Sequence, residues 1–427
     1  MTSRALVFLA TALGAAVLQG AYAQQTFIHA GWLLDLESGQ WLRERTIVVE
    51  GERISAVEER SKIELAAGDG VIDWSDAYVL PGLIDAHVHM TADHRYHGYQ
   101  RLGISVPRQT LFGVVSARRT LAAGFTTVRS LGSAGYADVA LRDAIDDGDL
   151  SGPRMLVSGP SLGMTGGHCD NNLLPPRFDH TAEGVGDGPW AVRASVRRND
   201  KYGVDVIKFC ATGGVLSKGD KVGTQQFTFE EMAAVVDEAH RLGFRVAAHA
   251  HGTEGIKDAI RAGVDSVEHA SLLDDEAITL ARDHGTHLVM DIYVSDYILS
   301  SGAAAGILEE SLQKERQVGQ AQRDSFRRAV QAGVTVTFGT DASIFPHGTN
   351  ARQFAYMVEW GMAPLEAIRA ATTSAAALLG LSGQVGVIAP GAYADLVALE
   401  KDPLVEIRVL ERDVRVIKGG RLVPPAH

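Results

Sequence analysis

Eight short apolar segments alternate with helical patterns between residues 78 and 381 of this 427-residue chain. The apolar segments predict strands at 78–89, 126–131, 154–159, 205–211, 245–251, 266–269, 287–294 and 334–340. Helical patterns between and after them include 229–242, 253–262, 275–284, 307–332 and 364–381. Eight strand–helix units in about 300 residues are the number and size of a (β/α)8 TIM barrel, which is the predicted α/β fold.

Both ends of the chain carry short strands separated by tight turns. Strands are predicted at 26–33, 46–50, 53–57, 394–399 and 414–423. Neither end is large enough to bury a good core alone, so we expect one small β-sandwich domain formed from both termini. The predicted organisation is a signal peptide at 1–23, sandwich residues 24–79, the barrel at 80–384 and the rest of the sandwich at 385–427.

The first residues have the pattern of an export signal. Arg4 supplies a positive charge, residues 5–17 are uncharged and apolar, and Ala21-Tyr22-Ala23 is a small-x-small cleavage site. The mature chain is therefore expected to begin near Gln24, in the periplasm or outside the cell. No later segment approaches the roughly 20 apolar residues of a membrane span, so no membrane contact is expected after processing.

Net charge and cysteine content argue against a nucleic-acid surface and against a zinc site made of cysteines alone. A formal net charge of −12 argues against a nucleic-acid surface. The two cysteines, Cys169 and Cys210, cannot form a structural zinc site by themselves. An exported protein permits a disulfide between them. Because Cys169 falls in a predicted loop and Cys210 on a predicted central strand, we expect two free thiols.

The run from Pro81 to Met90 places two histidines on one face of the first barrel strand. Alternate residues of a strand share a face, so His87 and His89 point the same way, with Asp85 one layer below. A lone His-x-His pair would be explained by ordinary polar residues at a strand end. Further candidate ligands follow other strands, at Lys208, His249, His251, His269 and Asp341. Barrel enzymes hold their chemistry at the carboxyl ends of strands, so this pattern predicts a metal site.

The alternative fold, a doubly wound open sheet, fits this pattern less well. The candidate ligands follow the first, fourth, fifth, sixth and eighth predicted strands. A closed barrel brings those strand ends to one point, whereas an open sheet spreads them along an edge.

Lys208 is the unusual member of the set. A buried, unpaired ammonium is costly and tends to lose its proton. Condensed with CO₂, the amine would become an anionic carbamate whose two oxygens can bridge two cations. The alternatives are a lysine that reaches solvent and one that pairs with Asp341.

The segment at 162–189 is the longest irregular stretch and is rich in glycine, asparagine and proline. Long loops of this kind are commonly lids or binding loops. It carries His168, which is either a substrate contact or an ordinary loop histidine.

The run from Pro81 to His89, together with Lys208, His249, His269 and Asp341, resembles the amidohydrolase superfamily in its binuclear, carboxylated-lysine form. The segments 206–214, 249–252 and 268–270 are similar to the Xaa-Pro (aminoacylproline) dipeptidase and carboxypeptidase-like branch, which includes ochratoxin-hydrolysing amidohydrolases. The spacings of 41 residues from Lys208 to His249 and 20 from His249 to His269 fit that branch.

The resemblance implies two divalent metal ions, most simply zinc. It assigns His87, His89 and Asp341 to the more buried metal and His249 and His269 to the other, with carboxylated Lys208 as the bridge. A metal-bridging hydroxide would attack an amide, and Asp341 would transfer its proton to the leaving amine. His251 and His168 would contact substrate.

The implied activity is release of a C-terminal amino acid from a dipeptide or N-acyl amino acid, by a chain expected to form a homo-oligomer. Candidate groups for the substrate carboxylate are His168, His251, Arg129, Arg154 and His347. Leu216, Ile292, Tyr293 and Phe345 would line an apolar pocket, or simply pack at the barrel rim.

Three other functions remain open. A mononuclear deaminase or cyclic amidase of the same superfamily would generally lack Lys208. A lactonase would use the same chemistry on an ester. A metal-binding protein without turnover would have no need for Asp341 beside an open metal position.

Overall fold

The computed structural model describes residues 25–66 and 69–425. The predicted signal peptide, residues 1–23, lies outside these residues. Within the described ranges, no helix combines the length and the apolar character needed to cross a membrane.

The described residues form fifteen strands and eleven α-helices. The strands β1 to β15 are Gln25–Leu34, Trp41–Glu50, Arg53–Glu59, Gly70–Pro81, Leu83–Val88, Phe125–Ser130, Arg154–Val157, Val206–Cys210, Arg245–Ala250, Ser266–His269, His287–Val289, Val336–Thr337, Leu396–Leu399, Arg415–Lys418 and Arg421–Leu422. The helices α1 to α11 are Val106–Ala122, Ala137–Asp146, Pro189–Lys201, Phe229–Arg241, Thr253–Ala262, Asp275–His284, Val294–Ser301, Glu309–Gln331, Arg352–Glu359, Pro364–Ala370 and Thr373–Leu379.

The alternation of parallel strands and helices predicted from the sequence is confirmed. Strands β5, β6 and β7 form one parallel sheet, and β8 to β12 form a second one in chain order. Apolar residues of both sheets and of the surrounding helices share one large buried core. The fold is therefore α/β with parallel sheets covered by helices.

Backbone hydrogen bonds also connect the two parallel sheets along their outer edges. At one edge, Leu162 N donates to Lys208 O at 2.8 Å and Cys210 N donates to Leu162 O at 2.9 Å. At the other edge, Ala86 N donates to Phe338 O and His89 N donates to Ala342 O, each at 2.9 Å. The carboxyl ends of strands from both sheets consequently lie on the same side.

The predicted strand at 78–89 is two strands that separate at Gly82. β4 ends at Pro81 in a different sheet, and β5 begins at Leu83. A Cβ at position 82 would overlap the side chain of Thr126, so the backbone can pass at this distance only as glycine. The predicted helix at 364–381 is also divided, because Thr372 has non-helical dihedral angles (φ −136°, ψ −93°). The carbonyl of Ala371 accepts a hydrogen bond from Ile84 N instead.

Both termini contribute to a single seven-stranded sheet with the order β15-β14-β13-β4-β1-β2-β3. β1 pairs in parallel with β4, and the other neighbours are antiparallel. This sheet has a core of its own, which includes Ile28, Ile47, Trp74 and Leu396. The shared use of both ends follows the prediction, but the described strands form one continuous sheet. A sandwich of two facing sheets and the domain boundaries at 79 and 384 stay predictions.

The prediction of two free thiols is wrong. Cys169 and Cys210 form a disulfide with a Cα–Cα distance of 5.9 Å. The reason is that the chain at Leu162 pairs with β8, as described above, so that the following loop begins beside Cys210. The irregular segment is thereby bonded covalently to the strand that carries Lys208.

Candidate metal centre

The predicted ligands come from five strands whose carboxyl ends meet. Lys208 lies in β8 and His249 in β9, while His269 is the last residue of β10. The first pair, His87 and His89, lies at the end of β5 and just beyond it, and Asp341 follows β12.

The first ligand group consists of His87, His89 and Asp341. One nitrogen or oxygen of each lies within 4.8 Å of the others. Asp341 Oδ1 is 3.1 Å from His89 Nε2 and 3.6 Å from His87 Nε2. Catalytic zinc ions are bound by three protein ligands of this kind, with one coordination position left open.

A second group combines His249, His251 and His269, again within 4.8 Å of one another. The ring centroid of His269 lies 4.7 Å from that of His249 and 4.8 Å from that of His251. The sequence prediction kept His251 out of the ligand set. Distance alone does not separate His251 from the two predicted ligands of this group.

Two buried atoms of these groups have no hydrogen-bond partner of acceptable geometry. They are His249 Nε2 and Asp341 Oδ1. Buried polar atoms are almost always satisfied, so each such atom needs an explanation. A cation bound at each group would satisfy both atoms, and the residues present therefore fit a metal centre.

The pKa shifts of three of the predicted ligands also fit metal binding. Burial lowers the pKa of His87 and that of His249 well below the ordinary value for histidine. A neutral imidazole keeps the lone pair that a metal needs. Burial likewise lowers the pKa of Lys208 to about 8, against the opposing charges of Glu268 and Asp341. About a tenth of this amine is then uncharged at pH 7, and reaction with CO₂ requires the uncharged form.

Carboxylates behind the histidines orient two of the rings. His87 Nδ1 lies 2.8 Å from Glu268 Oε2, and His269 Nδ1 lies 3.0 Å from both oxygens of Asp291. In each ring, Nε2 remains free to face the centre, which is the usual arrangement behind a metal ligand. The sequence analysis missed both carboxylates, although Glu268 is adjacent to His269 in the chain.

Hydrogen bonds to Asp85 hold the turn that carries Asp341. Asp85 Oδ2 accepts hydrogen bonds from Thr340 Oγ1 at 2.6 Å and from Asn350 Nδ2 at 2.8 Å. These bonds fix the turn in which Asp341 has a positive φ of 56°. The strained backbone is thus held by buried polar side chains next to a candidate functional residue.

The long loop delivers His168 to the same centre. Its ring stacks on that of His249, with 4.1 Å between the centroids and 16° between the planes. His168 Nδ1 lies 2.7 Å from Ser217 Oγ. Similarly, His251 Nδ1 lies 2.7 Å from Ser271 Oγ. In both rings, Nε2 is the nitrogen that remains available.

Three other candidates for the substrate carboxylate are engaged elsewhere. Arg129 is 1% exposed and donates to Ala86 O, Ser266 Oγ and Glu268 Oε1. Arg154 lies over the ring of Tyr393. His347 lies between Thr120 Oγ1 and the carbonyl of His89, at 3.2 and 3.3 Å. His168 and His251 are the predicted candidates that remain.

The predicted apolar pocket is in large part interior packing. Ile292 and Phe345 are fully buried, and Tyr293 is 5% exposed. The Tyr293 ring packs edge-on against Phe345 at 4.9 Å, and its hydroxyl accepts from Arg352 Nη1 at 3.1 Å. Leu216 is only partly buried, so it is the member of this set that can face a ligand.

Comparison with known proteins identifies the family. The sequence model of the amidohydrolase family matches residues 78–423, well over half of the chain. The chain belongs to the amidohydrolase family.

Relatives of this amidohydrolase include an ochratoxinase from Aspergillus niger, 34% identical over an alignment that covers 94% of this chain and 87% of the relative. A crystal structure of a Xaa-Pro dipeptidase with bound methionine in the active site is 40% identical. It has a TM-score of 0.87 and covers 93% of this chain and 99% of that one. A prolidase complexed with N-methylphosphonate-L-proline is 34% identical, with a TM-score of 0.86 and coverage of 93% and 99%.

These similarities confirm the predicted superfamily and its dipeptidase and ochratoxinase branch. This amidohydrolase is a hydrolytic enzyme, and its family is generally metal-dependent. The described histidine and aspartate groups are its candidate metal sites.

Proposed function

We propose that this amidohydrolase is a binuclear metallopeptidase-like enzyme that releases a C-terminal amino acid from a dipeptide or an N-acyl amino acid. The observation that carries the proposal is the meeting of two ligand groups with unsatisfied His249 Nε2 and Asp341 Oδ1. The similarity to a Xaa-Pro dipeptidase and an ochratoxinase supports this substrate class, including ochratoxin-type amides.

Two divalent ions, most simply zinc, fit the two groups. His87, His89 and Asp341 would hold one ion, and His249 and His269 the other, with carboxylated Lys208 between them. The carbamate forms when the Lys208 amine attacks the carbon of CO₂ and loses a proton to water. When bound, the two ions supply activation of a water and polarisation of the substrate carbonyl.

Asp341 is the proton carrier of the proposed reaction. Its buried Oδ1 belongs to the first ligand group, so the second carboxylate oxygen, Oδ2, is the one that takes a proton from the attacking water. Oδ2 then gives the proton to the nitrogen of the leaving amino acid. Asp85 and Thr340 hold the turn in place while the proton moves.

His168 and His251 are the proposed contacts for the free carboxylate of the substrate. Each has its Nδ1 occupied by a serine hydroxyl and its Nε2 available. Binding of the carboxylate would place the scissile amide over the two ligand groups. Amides of the same substrates lack the negative charge and should bind less well.

The closed barrel, the exported location and the homo-oligomer are proposed together with this activity. The backbone hydrogen bonds at both outer edges of the parallel sheets support closure into a (β/α)8 barrel. The disulfide supports an exported location, because disulfides persist in oxidising compartments. A homo-oligomer stays a prediction that size measurement in solution tests.

The test is a screen of dipeptides, N-acyl amino acids, their C-terminal amides and lactones with the zinc-loaded protein. We expect amino acid release from free acids, with kcat/KM at least about tenfold lower for the matched amides, since a charge-assisted contact contributes ~1.5–3 kcal/mol. Turnover of lactones alone would indicate a lactonase instead. Full metal content with no hydrolysis of any amide or ester would indicate a metal-binding protein.

A further inference from the structure

His249 differs from the other buried histidines of the centre in how its ring is held. His87, His251 and His269 each have a side-chain oxygen within 3.0 Å of Nδ1. Among the described residues, neither ring nitrogen of His249 has a hydrogen bond, and its Nε2 is buried. Rotation of a histidine ring about its last torsion angle is intrinsically soft, so contacts must fix the ring. For metal ligands that contact is usually a hydrogen bond, which His249 lacks.

Three other histidine rings surround that of His249. His251 and His269 meet it edge-on, with centroids 4.8 and 4.7 Å away and planes inclined by 75° and 69°. His168 instead lies flat on it, with 4.1 Å between the centroids and 16° between the planes. A flat neighbour limits the rotation of the ring that it covers, because rotation would bring the two rings into collision. His168 is therefore the residue that restricts the His249 ring most directly.

Several contacts confine the His168 ring. A Cβ at Gly214 would lie 2.3 to 2.8 Å from three atoms of this ring, so the ring passes directly against the backbone of Gly214. His168 Nδ1 lies 2.7 Å from Ser217 Oγ, and the His168 N–H donates to Gln226 Oε1 at 2.9 Å. The ring that covers His249 is consequently held by main-chain packing and by hydrogen bonds.

The disulfide brings His168 to the strand position beside His249. Cys210 and His249 are register partners in the pairing of β8 with β9, and neighbouring strands lie about 4.8 Å apart. The Cys210 N–H donates to Leu162 O at 2.9 Å, and the Cys210 sulfur is bonded to Cys169. Residues 163–168 thus form a short closed loop with both ends on Cys210. His168 is the last residue before the crosslink.

We propose that His168 is a positioning residue for the candidate metal ligand His249, which it orients by ring stacking, and that the Cys169–Cys210 disulfide holds it in place. The inference rests on the proposed function for the ion that His249 would bind, and it is independent of the substrate. It gives His168 a role besides the proposed substrate contact. Because this role depends on the shape and position of the ring, an aromatic ring without nitrogen atoms should also perform it.

The experiment uses the full-length, zinc-loaded protein and a chromophoric chelator that removes the ions in succession. His249→Ala identifies the ion held by His249 as the one whose affinity falls most. The test variants are His168→Ala, His168→Phe and the double variant Cys169→Ser/Cys210→Ser. His180→Ala is the matched control, because His180 is an exposed histidine of the same irregular segment. Circular dichroism checks that each variant is folded.

We expect His168→Ala to lower the affinity for the His249 ion about 10–100-fold, the usual effect of removing a group that orients a metal ligand. The affinity for the ion at the other ligand group should hardly change. His168→Phe should keep most of the wild-type affinity, although its KM should rise because a phenyl ring cannot hydrogen-bond a substrate. The double cysteine variant should show a smaller loss than His168→Ala, because the hydrogen bonds to Ser217 and Gln226 remain.

Unchanged affinity for the His249 ion in His168→Ala would overturn the proposal. An equal loss from both ligand groups, or a loss in His168→Phe as large as that in His168→Ala, would also overturn it. Failure of the proposed function is a different result, in which the metal affinities follow these expectations but the wild-type protein hydrolyses no amide. A wild type in which His249→Ala affects no ion would refute both.

Discussion

At the scale of single residues, Lys208 is the group on which the proposed two-metal centre depends. It is 3% exposed and lies on β8 among histidines that belong to both ligand groups. A neutral amine could reach one metal ion but is a poor bridge, and an ammonium would repel both ions. A carbamate supplies a negative charge and one oxygen for each ion.

Lys208→Ala should abolish activity and remove at least one metal ion per chain, while the fold survives because its core is apolar. Lys208→Arg should fail as well, because the guanidinium stays cationic and cannot be carboxylated. Metal analysis, circular dichroism and turnover measure these effects, and a short carboxylic acid should partly restore turnover to Lys208→Ala. Lys201→Ala, at the exposed end of α3, is the control. A fully metallated, active enzyme with an unmodified Lys208 amine would contradict the carbamate.

Glu268 is a second residue whose loss has a clear physical consequence. It contacts His87 with one oxygen and Arg129 with the other, and both side chains of the Arg129 pair are almost fully buried. Glu268→Gln should lower metal affinity about 10–100-fold through His87. It should also reduce the free energy of unfolding by ~3–5 kcal/mol, since Arg129 stays buried without its counter-charge.

Competition with a metal chelator and urea unfolding of the metal-free protein measure these two effects separately. Glu276→Gln is a suitable control, because Glu276 is an exposed carboxylate that pairs with Lys257 and Arg261. Equal metal affinity in Glu268→Gln and the wild type would show that His87 does not need this partner.

At the scale of elements, the sequence predicted the strands of the parallel sheets because each is a short apolar run bounded by turns, although β11 and β12 are shorter than the predicted 287–294 and 334–340. Helices α5 and α6 begin and end where their periodic patterns do. The same alternation placed His87 and His89 on one face. It could not reveal that β4 and β5 separate at Gly82, since that depends on Thr126 from another strand. Nor could it pair Cys169 with Cys210, because their contact requires the tertiary path of the loop.

That loop is tied to β8 by the disulfide, which has a sequence separation of 41 residues. A double Cys169→Ser/Cys210→Ser variant should lose about 2–4 kcal/mol of stability, because a crosslink restricts the unfolded chain. Urea midpoints with and without a phosphine reductant measure the effect, and the reductant should not affect the variant. Equal midpoints for oxidised wild type and variant would indicate that the loop is held by its hydrogen bonds alone.

At the scale of the whole molecule, the proposed export signal and the terminal sheet are compatible. The predicted cleavage follows Ala23, and strand β1 begins at Gln25, so processing would leave the sheet complete. Protein exported from a Gram-negative-type host should therefore have an intact mass that starts at or close to Gln24. Retention of residues 1–23 in the exported protein would refute the signal peptide.

The pairing of β4 with β13 has a consequence for how the chain folds. Pro81 and Leu396 are partners in this pairing, so β4 keeps an open edge until almost the entire polypeptide has been made. Open edges invite association with other chains, and pairings between distant residues form slowly. β4 continues through Gly82 into β5, which carries His87. Anchoring of β5, with its candidate ligand His87, to the neighbouring sheet should therefore occur late in folding, and a chain that stops before β13 should aggregate.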